Sequence, residues 1–133
     1  MADPSSIATG ALKASTTLYQ LIQSFRSQNK DARALKEEVN KHNRALEALL
    51  EIITINPTLD FKALELPLKR CGHACEEYRK FVEKCTQLHN DRTPSGVCDW
   101  ITQQYLQGDI KDFKRMIAAY NATINVALAI ADL

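Results

Sequence analysis

The residues best equipped for chemistry stand together at Cys71-Gly72-His73-Ala74-Cys75. Thiolate and imidazole are ordinary zinc ligands, and positions four apart share one face of a helix. A closed zinc site takes four ligands, and the companions along the same segment, Cys85 and His89, lie about two or more turns further on. One helix cannot wrap a tetrahedral ion. Cys71 and Cys75 are therefore expected to be small apolar knobs in a helix seam, with no metal bound and no disulfide formed.

Histidine on a helical bundle also raises phosphotransfer, in which an exposed imidazole accepts a phosphoryl group. His42 falls on the apolar stripe of its segment, His73 sits between the cysteines, and His89 lies at a helix end. No neighbouring Lys-Gly pair opens room for a phosphate-bearing partner around any of them, so each reads as a core or surface histidine. No phosphate-cradling glycine loop, nucleophile elbow or dinucleotide fingerprint occurs. The carboxylate pairs Glu37-Glu38 and Glu76-Glu77 read as solvated helix faces. No catalytic residue, cofactor or enzymatic activity is expected. Basic residues alternate with acids, as in Lys36-Glu37-Glu38, and the formal net charge is +1. Neither feature makes a phosphate-tracking stripe, so nucleic acid is not an expected partner.

These residues are positioned by a chain of 133 residues, long enough for one domain with its own core. Glycine and proline number only 4 each, which favours long regular elements over turn-rich β structure. The start, Met1-Ala2-Asp3-Pro4, has no basic and apolar secretory pattern, and no run is apolar enough to span a bilayer. A cytoplasmic chain with four free thiols is expected.

Asp3-Pro4 opens an amphipathic helix to about residue 27, with Ile7, Ala11, Ala14, Leu18, Leu21, Ile22 and Phe25 on its apolar side. Thr9, Lys13, Thr16, Gln20 and Gln23 make the other face, and Lys13 is the one charge between Pro4 and Phe25. A second helix follows the turn at Gln28-Asn29-Lys30, with a stripe through Leu35, Val39, His42, Leu46, Leu49, Leu50 and Ile53, and ends before Pro57. Pro67 restarts or kinks a third helix carrying Leu68, Cys71, Cys75, Tyr78, Val82, Cys85 and Leu88. Thr93-Pro94-Ser95-Gly96 is a loop. Trp100, Ile101 and Leu106 suggest a short helix broken at Gly108. Asp109 then caps a last helix with Ile110, Phe113, Ile117, Tyr120, Ile124 and Leu128 on its stripe.

The expected fold is all-α: an up-down four-helix bundle, with an additional short helix before the last long one, forming a single domain over residues 1–133. Three apolar stripes should surround the last helix. The expected core is Leu46, Leu49, Leu68, Cys71, Cys75, Tyr78, Trp100, Phe113, Ile117, Tyr120, Ile124 and Leu128. Two segments are nearly uncharged, the first helix and Met116 through Ala131. The second reads either as a helix buried on most sides or as a surface that meets another domain or a bilayer.

Three blocks taken in order resemble the fungal N-terminal domain of STAND, or NLR-like, proteins. They are Asp3-Pro4 with Ser6 and Ile7; Pro67 through Tyr78; and Trp100 through Ile110 followed by Phe113-Lys114 and Tyr120 through Ala129. The resemblance covers nearly the whole chain. It implies the N-terminal signalling or effector part of a longer receptor, ahead of nucleotide-binding and repeat domains that would be its partners in the same chain. It also implies likeness to HeLo-like cell-death bundles, in which oligomerisation exposes the first helix to a membrane. On that implication Ile7, Ala11, Lys13, Ala14, Leu18, Leu21, Ile22 and Phe25 face a membrane or partner. Self-association and recruitment to an anionic plasma membrane follow, with a non-lytic interaction or oligomerisation module as the alternative. Two positions depart from the family pattern: Asn121 stands where a lysine is common, and Lys13 interrupts a helix that is usually more apolar.

Overall fold

A computed structural model describes residues 4–24, 30–56, 61–90 and 107–131, without the side chains of 85–90, 107–109 and 131. Four long helices account for nearly all of it, and no strand occurs among the described residues. They are α1 (Pro4–Gln23), α2 (Lys30–Ile55), α3 (Lys62–Asn90) and α4 (Gln107–Ala131). The chain is thus an all-α bundle. The expected short helix around Trp100, Trp100 itself and Phe25 lie outside the described residues.

Two boundaries differ from expectation. α3 begins at Lys62 and runs through Pro67 instead of starting there. Pro67 has no N–H for the carbonyl one turn back, a loss of about 3 kcal/mol or more in a helix interior. Phe61 and Leu64 are buried beside that first turn, each contributing about 1.5–3 kcal/mol, and the Leu64 N–H donates to the Phe61 carbonyl at 2.9 Å. Burial outweighs the missing bond. α4 likewise starts at Gln107, so Gly108 and Asp109 lie within its first turn rather than before it.

The apolar interior falls into two clusters. One joins Leu18 and Ile22 of α1, Leu35 and Val39 of α2, Tyr78 and Val82 of α3, and Ile110, Phe113 and Ile117 of α4. The other joins Ala8 and Ala11, Leu46 and Leu49, Leu64 and Leu68, and Ile124. These pairings alternate the helix directions along the chain. The last helix is not central, however. α1 packs on α2 and α3, whereas α4 packs on α2 and only lightly on α3. Parallel neighbours, α1 with α3 and α2 with α4, therefore form two sides of the bundle. At one crossing α1 and α3 approach so closely that a Cβ on Gly72 would stand 3.2 Å from the Ala11 Cα.

Candidate functional site

Between the two apolar clusters lies a layer of buried polar side chains: Ser15, His42, Asn43 and Asn121. Three helices, α1, α2 and α4, supply it, and α3 meets it through Cys71. The Ser15 hydroxyl of α1 donates to Asn43 Oδ1 of α2 at 2.5 Å. On α4, Asn121 Nδ2 donates to Glu38 of α2, at 3.2 Å to its carboxylate and 3.5 Å to its carbonyl. That leaves Asn121 Oδ1 facing His42 Nδ1 at 2.5 Å. An amide oxygen only accepts, so His42 carries its proton on Nδ1 and turns a bare Nε2 toward Cys71 Sγ, 2.6 Å away on α3. Cys75 stands one turn further along α3, equally buried.

Electrostatics keeps this layer neutral. Desolvation pushes the His42 pKa down, against the raising effects of the Asn121 hydrogen bond and the Glu38 charge. The Cys71 thiol is pushed well above its ordinary range, first by its hydrogen bond with Cys75 and then by burial. Both cysteines are free thiols. Unprotonated imidazole and protonated thiol are what a dry interior favours.

The cysteine motif therefore has a partner that reading along one helix could not supply. His42 comes from α2, and its place on an apolar stripe was the signal that it faces the bundle interior. His73, inside the motif, is exposed, and the side chain of His89 is outside the described residues. Ser15 was missed altogether, being small and polar on an otherwise alanine-rich seam.

The expected membrane- or partner-facing set on α1 divides. Ala11, Leu18 and Ile22 are buried inside the bundle, at 2%, 0% and 2% exposure. Ile7, Ala14 and Leu21 are half-buried at its margin, and Lys13 is exposed. The outward surface of α1 is Thr9, Gly10, Lys13, Thr17 and Gln20. Thr16, assigned to the polar face, is half-buried instead, because the buried line runs through Ala8, Ala11, Ser15, Leu18 and Ile22 and so turns the helix slightly. In this packing the apolar side of α1 meets α2 and α3.

α4 shows the reverse. Its first half is charged outside, at Lys111, Asp112 and Arg115; its second half is not. Ala118, Ala119, Ala122, Thr123, Asn125, Val126, Ala129 and Ile130 are all exposed, Val126 at 60% and Ile130 at 66%. The Thr123 hydroxyl is spent on the Ala119 carbonyl at 3.2 Å. Tyr120 and Leu128, expected in the core, are half-buried at the borders of this stripe. The reading of α4 as buried on most sides is thereby corrected: with α2 on one flank and α3 only lightly touching, most of its C-terminal half has no neighbour among the described residues. No helix among the described residues is long and apolar enough to cross a membrane.

Among the described residues, fold and buried layer define a class, a four-helix module with a polar midsection and one open helix face. Residues 3–133 match the model of a family described as the N-terminal domain of pigment biosynthesis cluster protein PigL. The chain belongs to that family of N-terminal domains. Neither a curated protein nor a solved structure matches it.

Proposed function

We propose that this N-terminal domain is a non-catalytic interaction module that self-associates through the outward face of α4. The observation that carries the reading is the exposed, uncharged stripe from Ala118 to Ile130. Two lines run along it at helical spacing, Ala118, Ala122, Asn125 and Ala129 beside Ala119, Thr123, Val126 and Ile130. Small side chains let a second helix approach closely, and Val126 and Ile130 supply apolar area to cover. A second copy of the chain is the occupant that fits. In a two-fold contact the same stripe meets itself, and a stripe without charge brings no like-charge repulsion to that meeting. In a fungal NLR-like receptor, as the resemblance implies, this contact would gather the downstream nucleotide-binding and repeat domains. The domain acts in the cytoplasm, without nucleic acid. Sedimentation velocity over a concentration series tests it: the wild type should form dimers or larger species, and Val126→Glu with Ile130→Glu should stay monomeric with an unchanged helix content. A wild type that remains monomeric throughout overturns the reading.

A second reading, membrane perturbation by α1 with recruitment to an anionic plasma membrane, is favoured by one observation, the single charge Lys13 on that helix. It requires α1 to leave both α2 and α3, withdrawing Ala8, Ala11, Leu18 and Ile22 from the core. Dye release from anionic vesicles by assembled protein supports it; intact vesicles in the presence of verified oligomers leave the interaction module alone.

A further inference from the structure

We propose that His42, Cys71 and Cys75 form an internal binding site for one thiophilic closed-shell ion, Zn(II) or Cu(I). Their three donor atoms lie within 4.8 Å of one another. Donors on one ion are spread similarly, since metal–sulfur bonds are about 2.3 Å and metal–nitrogen bonds about 2.0 Å. The set comes from two helices, so it surrounds an ion in a way that the i, i+4 cysteine pair alone does not.

The orientation of His42 is the second, independent observation. Glu38 fixes the Asn121 amide, the amide oxygen fixes the proton on Nδ1, and Nε2 is left as a lone pair aimed at the thiols. A metal-binding histidine is held in the same manner, its far ring nitrogen donating to an outer oxygen that sets tautomer and ring angle. The donors are two sulfurs and one imidazole with no carboxylate among them, which selects soft ions over Mg(II) or Ca(II).

On binding, two S–H bonds break, two metal–sulfur bonds form, and two protons leave to solvent. The Nε2 lone pair makes the third bond, and the ion keeps its oxidation state. Cys71 Sγ and Nε2 must move apart from 2.6 Å to about 3.5 Å, the edge of a tetrahedron with such bonds. Zn(II) with two thiolates is a neutral centre with a fourth position open, whereas Cu(I) is content with three donors. Each ion therefore has one argument in its favour, and the experiment separates them.

The test uses the full 133-residue chain, reduced and anaerobic, in a Cys85→Ser, Cys98→Ser background so that the thiols observed are those of the cluster. Zn(II) and Cu(I) are titrated separately against competing chelators, and Co(II) serves as a coloured stand-in for Zn(II). The expected result is one ion per chain for at least one of the two, two protons released per ion, and a raised melting temperature. Co(II) should give a thiolate charge-transfer band if Zn(II) is the ion bound. Binding should vanish in Cys75→Ala; should that variant fail to fold, the proton count and a shift of the His42 Nε2 resonance in the parent chain report the same ligands. Failure of both ions to bind stoichiometrically overturns the site. So does binding that persists after Cys71→Ala with Cys75→Ala.

Discussion

Two helices of this bundle are nearly free of charge, and the fold uses them in opposite ways. α1 turns its apolar line inward and shows threonine, glutamine and Lys13 to solvent; α4, past Met116, buries Ile117, Asn121 and Ile124 and shows alanine, valine and isoleucine. The difference comes from neighbours. α1 is wedged between α2 and α3, with a glycine on α3 to admit it, while α4 leans on α2 at the edge. A neutral helix in a sequence is thus either an interior element or an open surface, and the packing order decides which.

The comparison can be broken first at the inward faces. Leu18→Ala on α1 and Ile117→Ala on α4 should each cost about 2–5 kcal/mol through cavity formation, read from urea melts. The outward pair Val126→Glu and Ile130→Glu should change monomer stability by no more than about 0.5 kcal/mol per site. A large loss at these outward sites would mean that α4 is covered after all.

The polar layer, to which both helices contribute, comes next. Asn121→Ala leaves the His42 Nδ1–H without its acceptor in a dry site and should cost about 1–3 kcal/mol. His42 also makes stability depend on pH. Its folded pKa lies below the ordinary 6.5 because burial disfavours the charged ring, so below about pH 6.5 the unfolded chain takes up a proton that the folded chain refuses. Stability should be level above that point and fall beneath it by up to about 1.4 kcal/mol per pH unit. A flat profile between pH 7 and 5 in melts would contradict a neutral buried imidazole.

The smallest effect separates two glycines. Gly10 on the outer side of α1 has open space where a Cβ would go, whereas Gly72 has the Ala11 backbone at 3.2 Å. Gly10→Ala should therefore stabilise by about 0.5–1 kcal/mol through helix propensity. Gly72→Leu should destabilise by about 1–3 kcal/mol through overpacking.

Much of this was legible beforehand. Steps of three and four from Leu35 to Ile53 located the α2 core, His42 included, and Pro4 marked the start of α1 where Pro and an acidic cap are expected. The failures have a common cause. Pro67 was read as a restart or a kink because local rules do not see Phe61 and Leu64 anchoring the turn before it. The contact of His42 with Cys71 joins residues of different helices, and one sequence carries no direct record of which stripes face each other. The same blindness placed α4 at the centre: an apolar, uncharged helix looks central until its neighbours are known.

The most direct test of the open face is a cysteine placed on each neutral helix, in the Cys85→Ser, Cys98→Ser background, followed by mild oxidation at concentrations where the chain associates. Ala122→Cys, in the middle of the α4 stripe, should form a disulfide-linked dimer in high yield, while Thr17→Cys, also exposed but on α1, should stay monomeric. Efficient linkage through Thr17→Cys, with none through Ala122→Cys, would contradict the account and return α1 as the surface that meets a partner.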